Sequence, residues 1–325
     1  MKPIKIFKFG GTSLKDDSAR KHVIKILKKE AKNYRLVVVV SAMGRLHDPY
    51  ATDTLLAFGN YLNAKDKDSL LSCGELISCG VLCNECLKEG MSCCCVNFIE
   101  NGIYTNQNYL DGDILNVNSD SIYNYLKKYH LVIIPGFFGT NQHHFVTSLG
   151  RGGSDLAAVA IANSLGLKEV YIYSDVAGIY STDPKQYPFA LFYDEINIHQ
   201  LIEIAYYHNP IVAYKACLYA LRNHIQIHLK STFDDTKETV VNISSLYKNF
   251  LITFNKHLFC CDKNGNIFDL GNEIDLKDAH KVIIEENLTW IKKNTRYFQI
   301  TVILYRTYKK QEAFGGVRNE RQHYL

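Results

Sequence analysis

The sequence predicts an α/β protein with a mostly parallel sheet sandwiched between helices, followed by a small C-terminal α+β unit. Three observations predict it. Strand-like and helix-like stretches alternate over roughly the first 240 residues, the pattern of a sheet with helices on both faces. Leu36-Val-Val-Val-Val40 is an almost uninterrupted β-branched run, as expected of a buried parallel strand. Several strands end in small-residue turns, at the edge where open α/β sheets bind ligands.

The elements follow in order. Ile4-Lys-Ile-Phe-Lys-Phe9 reads as a strand, Gly10-Gly11-Thr12-Ser13 as its turn, and about 16–32 as a helix with Ala19, Val23, Leu27 and Ala31 on one face. A strand, a glycine turn and a helix make a phosphate cradle, and Lys8 supplies a charge beside it. The spacing is neither a Walker A loop nor GxGxxG, and a plain turn with a solvated lysine is the default for such a fragment. The strand 36–40 ends in Ser41-Ala-Met-Gly44. Thr52-Asp53 leads into a helix expected over 54–62, with Asp53 a possible cap. Ser72-Cys-Gly-Glu75 precedes a cysteine-bearing helix. Glu75 either complements that helix's dipole or offers a carboxylate to a ligand ammonium.

A strand at 93–98, a loop at 101–113 and a helix at 118–129 lead to the strand Val132-Ile-Ile-Pro-Gly-Phe137. Ser148-Leu-Gly-Arg-Gly-Gly-Ser-Asp155 comes next, and an Ala-rich helix over 156–165 runs away from it. This corner reads as an anion site. Its glycines permit close backbone approach, the helix start offers free N–H groups, and Arg151 can hold a carboxylate or phosphate bidentately. Ser154 or Asp155 is the expected helix cap. Glu169-Val-Tyr-Ile-Tyr-Ser174 is a further strand. It runs into a polar loop with Asp175, Tyr180 and Lys185, an aromatic and a lysine suited to a nucleotide. Helices at 195–207 and 212–223 and a strand at 225–230 close the domain. From about 244 short strand-like runs (250–254, 281–285, 298–305) and a short helix near 274–280 replace the alternation. The expected domains are 1–243, 244–308 and a polar tail 309–325.

Composition narrows the function. The chain has 325 residues and 47% hydrophobic content, enough for a large core. Its net charge of +4 argues against nucleic acid as the main partner. No apolar run long enough to span a bilayer is read, so no membrane partner is expected. The N-terminus lacks a signal-peptide pattern, which predicts a cytoplasmic protein. Cys79, Cys83 and Cys86 share one helical face. No second CxxC or paired His completes a zinc set, so the ten cysteines read as small hydrophobes in a reducing cell.

Taken together, these stretches resemble aspartate kinases of the amino-acid kinase superfamily. The matching pieces are Lys8-Phe-Gly-Gly-Thr-Ser13, Ser41-Ala-Met-Gly44, Thr52-Asp53, Ser72-Cys-Gly-Glu75, Pro135-Gly-Phe-Phe-Gly139, Ser148 to Asp155, and Ser174 to Pro184. They stand in family order across residues 1 to about 240, and Gly44 to Leu55 is most similar to the Gram-positive forms sensitive to diaminopimelate. The resemblance implies the amino-acid kinase fold, a place in lysine biosynthesis through diaminopimelate, and transfer of the ATP γ-phosphoryl group to the β-carboxylate of L-aspartate, with Mg²⁺. It implies catalytic roles for Lys8 and Asp155. The substrate set is Ser41, Thr52, Glu75, Arg151, Gly152 and Ser154, with Glu75 on the α-ammonium and Arg151 on the α-carboxylate. The ATP set is Lys8, Gly10, Gly11, Ser174, Asp175, Tyr180 and Lys185. No metal ligand is assigned, and a homo-oligomer is implied. Two alternatives remain: a kinase for another amino-dicarboxylate, or a non-catalytic paralogue that binds the ligands.

The sequence departs from the family at three places. His208-Asn-Pro-Ile211 stands where the family carries Gly-Ala-Lys or Gly-Ser-Lys, with Pro210 at the lysine position. The loss of one charge-assisted contact costs about 1.5–3 kcal/mol of ATP affinity, with Lys215 a partial substitute. The C-terminal stretch is too short for the family's two ACT modules, which predicts weak or absent inhibition by lysine and threonine. Leu156 replaces a small polar residue.

Overall fold

β1 (Ile4–Phe9) is the axis on which the first half of the chain assembles. The computed structural model describes residues 2–207, 211–254, 257–264, 266–272 and 276–280. In chain order β1 is followed by α1 (Gly11–Leu14), α2 (Asp17–Glu30), β2 (Arg35–Val40), α3 (Thr52–Phe58), α4 (Ala64–Lys88), β3 (Cys93–Cys95), β4 (Ile103–Thr105) and β5 (Ile114–Val117). Next come α5 (Asp120–Lys128), β6 (Leu131–Pro135), β7 (Phe138–Thr140), β8 (Val146–Ser148), α6 (Gly153–Ser164), β9 (Glu169–Ser174), β10 (Ile179–Tyr180), β11 (Phe192–Tyr193) and β12 (Glu195–Asn197). α7 (Ile198–Tyr207), α8 (Tyr214–Asn223), β13 (Gln226–Ser231) and β14 (Glu238–Asn242) complete the alternation.

The central sheet runs β12-β14-β13-β9-β1-β2-β6-β3, with every neighbouring pair parallel except β13–β14. β14 lies beyond the strand expected to close the domain at 225–230, and Glu238-Thr-Val-Val-Asn242 is short and mixed in composition. The strand period of two sorts the side chains of β1. Phe7 and Phe9 join one core with Val38 and Val40 of β2, Ile133 of β6, Leu27 of α2, and Cys79, Leu82, Cys83 and Cys86 of α4. The opposite face of β1, β2 and β9 is covered by α6, and α5 lies on β2 and β6. Lys8 therefore faces α6, flanked in register by Val39 and Ile172.

α4 differs most from expectation. It is one helix of 25 residues that runs through Gly74, with its N-cap at Asn63, whose side chain accepts from the Asp66 N–H. Glu75 is thus mid-helix, and the dipole role considered for it falls away. α4 is also long and apolar enough to cross a membrane, with a mean hydropathy of 1.4, contrary to the expectation that no such run exists. Half of that window is buried in the unit, and the helix carries buried Asp68 and Glu75.

A second sheet, β5-β4-β7-β8, carries the chain from β6 to the Arg151 corner. α6 begins there with Gly152 as N-cap, at φ 71 and ψ 21, and no side chain caps it. The expected cap at Ser154 or Asp155 is corrected: both lie inside the helix, and their side chains turn elsewhere. Asp53 is likewise no cap, since α3 starts at Thr52 behind Ala51. The loop His208–Pro210 lies outside the described residues.

By compactness the chain divides into Met1–Ile179 with Phe192–Leu246, and Tyr180–Leu191 with Tyr247–Leu325. The segment Tyr180–Leu191 was expected within the first domain. Its backbone explains the difference: the Leu251 N–H donates to Ser181 O at 2.8 Å, and Ser181 Oγ lies 2.8 Å from His280 Nε2. The second unit is the antiparallel sheet β15 (Phe250–Phe254), β16 (His257–Cys261) and β17 (Ile267–Asp269), with α9 (Leu276–His280). Leu251, Leu258, Cys260, Leu270 and Ala279 form its core. The runs expected at 281–285 and 298–305 and the tail lie outside the described residues.

Gly152 is the position where the corner tolerates least. A left-handed φ costs an L-residue about 1–2 kcal/mol, and overpacking about 1–3 kcal/mol more. A Cβ there would lie 2.4 Å from Ala213 Cβ. Gly152→Ala is therefore expected to lower the melting temperature by about 4–20 °C, measured by calorimetry. An unchanged melting temperature refutes the packing described at this corner.

Candidate active site

The strand–turn corner after β1 places a buried ion pair at the C-terminal edge of the sheet. Lys8 Nζ lies 2.6 Å from Asp155 Oδ1, with the two side chains 13% and 6% exposed. Asp155 sits in the first turn of α6, and its Oδ2 accepts from the Ala213 N–H at 3.1 Å, just before α8. An ammonium has three donors, so Lys8 keeps two for an anion beside the turn. That turn is Gly10-Gly11. The Gly10 N–H is already given to Tyr173 O at 3.2 Å, extending the β1–β9 ladder. Gly10 is thus corrected as an N–H donor to a ligand, whereas the Gly11 N–H at the start of α1 has no partner among the described residues. Gly11 is where two loops interlock: a Cβ would fall 2.5 Å from Gly44 O and 2.6 Å from Ala42 O. The Gly44 N–H donates to Gly11 O at 3.0 Å.

The second charged group is Glu75. It is 1% exposed. Its Oε1 accepts from the Ala42 N–H at 3.2 Å, directly after Ser41 at the end of β2, and its Oε2 is buried with no hydrogen-bond partner. Burial pushes its carboxyl up to about 8, against the Ala42 hydrogen bond. A buried carboxylate with an open oxygen and no cation beside it asks for a cationic or proton-donating ligand.

Ser41 is half-buried, and its N–H donates to Phe9 O at 3.1 Å. Thr52, half-buried, opens α3, which packs on α4. Ser154 is 6% exposed and lies against Gly136 beside the end of β2. Arg151 is exposed and makes no ion pair or hydrogen bond among the described residues. Leu156 is buried in α6. On the β9 side, Ser174 Oγ donates to Val176 O and accepts from the Val176 N–H, each at 3.1 Å, so this hydroxyl closes a turn. Asp175 meets Arg45 at 3.4 Å. Tyr180 and Lys185 belong to the second unit. Lys215, considered as a substitute for the lysine missing near Pro210, is committed to Asp111 at 2.7 Å and Asp113 at 3.5 Å.

The structure thus joins Lys8, Asp155 and the glycine turn, and joins Ser41 to Glu75 through Ala42. Sequence reasoning passed over Asp68, a second fully buried carboxylate seven residues before Glu75. The i,i+7 spacing was visible, but it becomes meaningful only once α4 is continuous through Gly74. The thiols follow the expectation of small buried hydrophobes only in part: Cys79, Cys83, Cys86 and Cys93 are buried and free, with Cys83 and Cys93 Sγ 3.6 Å apart, whereas Cys73 and Cys95 are exposed. Among the described residues no group of three or more His, Cys, Asp or Glu side chains is placed to hold a metal ion.

The chain is similar to known proteins in sequence and in fold. The model of the amino acid kinase family matches residues 3–231. The chain is 33% identical over 239 residues to aspartokinase 1 of Bacillus subtilis, covering 72% of this chain and 59% of that one. To the aspartokinase of Rickettsia felis it is 30% identical over 308 residues, covering 91% of this chain and 76% of that one. The chain spans about three fifths of the length of the Bacillus and Thermus aspartokinases it matches. In structure it is similar to Escherichia coli aspartokinase III in complex with aspartate and ADP, at a TM-score of 0.65 and 23% identity over 77% of this chain and 67% of that one.

Glu75 makes a stability signature. Its folded-state pKa of about 8 lies above the ordinary carboxyl value of 4.5. Its contribution is thus most favourable below pH about 4.5 and is lost as pH rises towards about 8. Glu75→Gln removes this dependence. The difference in unfolding free energy, mutant minus wild type, is expected to grow by on the order of a few kcal/mol across that window. Urea titrations at successive pH values check it, and a flat difference refutes the burial of an ionisable Glu75.

Proposed function

The chain belongs to the amino acid kinase family, among its aspartokinases, and we propose that it transfers the γ-phosphoryl group of ATP to the β-carboxylate of L-aspartate. The observation that carries this reading is Glu75: buried, beside Ser41, with one oxygen left open. An amino acid's α-ammonium satisfies it, and the unpaired Arg151 takes the α-carboxylate. A simple dicarboxylic acid has no ammonium to place beside Glu75.

A carboxylate acceptor is ionised at neutral pH and needs no general base. Its oxygen forms a bond to the γ-phosphorus as the bond to the bridging β–γ oxygen breaks, and ADP leaves with that electron pair. The barrier is repulsion between anions, so positioning and charge neutralisation supply the catalysis. Lys8, oriented by Asp155, directs its two remaining N–H donors at the transferring phosphoryl oxygens. The Gly11 N–H lies at the same turn. With no dedicated cage among the described residues, Mg²⁺ is assigned to the nucleotide's phosphates, as is usual for this ion.

An ATP-dependent hydroxamate trap tests the reading. Aspartate is expected to give product, glutamate far less, and succinate, which lacks the ammonium, none. Lys8→Ala is expected to lower kcat by about 10²–10³. No turnover of aspartate, or equal turnover of succinate, defeats the proposal. Because empty Glu75 holds a proton below about pH 8, binding an ammonium releases it. The KM for aspartate is therefore expected to fall by up to about tenfold per pH unit towards pH 8 and to level above it. Glu75→Gln raises KM and flattens that profile.

A further inference from the structure

We infer that Asp68 is the positioning residue that fixes the Arg151 corner, and through it the acceptor's α-carboxylate; this rests on the kinase reading above. Asp68 lies in the second turn of α4 and is 0% exposed. No cation pairs with it among the described residues. Its Oδ2 accepts from two backbone N–H groups at once, Leu110 and Ser148, each at 3.0 Å. Its Oδ1 is buried with no hydrogen-bond partner. Burial pushes the carboxyl up, against the hydrogen bonds from Ser148 and Leu110. A buried carboxylate without a cation is an expensive way to hold two amides. Its value lies in what those amides anchor.

Ser148 is held at both backbone groups. Asp68 takes its N–H, and the Gly112 N–H donates to its carbonyl at 2.7 Å. Leu110, at φ 70, is kept in the left-handed region by the same carboxylate, and Asp111 is tied to Lys215 of α8. Three residues after Ser148 comes Arg151, between Gly150 at φ 79 and Gly152 at φ 71. The two glycines let the chain close a turn around Arg151, with the Gly153 N–H donating to Gly150 O at 2.9 Å, so the arginine's place follows from the anchors that hold this turn. The anchor after it is α6. The anchors before it are Leu149, whose N–H donates to Phe137 O at 2.9 Å, and Ser148, gripped by Asp68.

The test compares Asp68→Ala with Asp68→Asn, which keeps a carbonyl acceptor without the charge. Asp68→Ala is expected to raise the KM for aspartate about 10- to 100-fold, with kcat and the KM for ATP within about threefold of wild type. Amide exchange at Leu110 and Ser148 is expected to speed at least about tenfold, with the core strands unchanged. Asp68→Asn restores both readouts to within about threefold of wild type. If Asp68→Ala does not fold, Asp68→Glu, which pushes the acceptor out by one methylene, replaces it with the same expected split. An unchanged KM for aspartate, or a joint loss of kcat and both KM values, overturns the inference. Wild-type turnover of aspartate is measured first. Its absence defeats the kinase reading alone, and the exchange rates then decide whether Asp68 anchors the corner.

Discussion

The buried pair between Lys8 and Asp155 is the constraint on which the site depends. Two opposite charges 2.6 Å apart, each almost withdrawn from water, hold only if both are present. One comes from the centre of the sheet and the other from the first turn of α6, so the two elements must meet at that level. α6 can do so because Gly153 to Ala162 is small and apolar enough to be buried all round, packed against the sheet on one side and α8 on the other. The second oxygen of Asp155 takes the Ala213 N–H, which fixes the start of α8 as well. The glycine at the helix cap follows from the same demand. Ala213 occupies the space a Cβ at 152 would need.

Glu75 shows the opposite arrangement. It is as deeply buried as Asp155, yet among the described residues it has one backbone N–H and no cation. The carboxylate beside Lys8 is neutralised from within, while the one beside Ser41 is left for a ligand to neutralise. On the proposed reading, that difference separates a phosphate pole from an amino-acid pole along one sheet edge. It also assigns roles that residue type alone does not, since both groups are acids near small-residue turns.

The parts legible in the sequence were those with local signals. The β-branched run of β2, the strand β9 and the shared face of Cys79, Cys83 and Cys86 stand where period and composition put them. The parts that were not legible depend on distant partners. Ser72 to Glu75 reads as preceding the helix, but α4 runs through it, and glycine stands at 74 because the close approach of Tyr50 and Ala42 leaves no room for a side chain. Asp155 reads as a cap by type, but Lys8 and Ala213 draw its side chain away from the helix end. Gly10 reads as a phosphate donor, but the β1–β9 ladder takes its N–H. Tyr180 and Lys185 read as continuous with β9, yet they follow hydrogen bonds made within the second unit. In each case a local preference lost to a hydrogen bond or contact that the linear order does not display.

The placement of Lys215 sharpens the family departure at 208–211. As a spare cation it would offset the missing lysine. It is instead bound to Asp111 and Asp113, on the loop whose neighbouring amide, Leu110, is held by Asp68. A half-exposed lysine with two acids contributes modestly as an ion pair, about 1 kcal/mol or less for exposed pairs. Its larger effect is geometric, because that loop lies against Gly150 and grips Ser148. Moving Lys215 to a nucleotide would release the corner that carries Arg151. The charge that sequence order offers to a nucleotide is thus committed to the Asp111–Asp113 loop, next to the corner that carries Arg151.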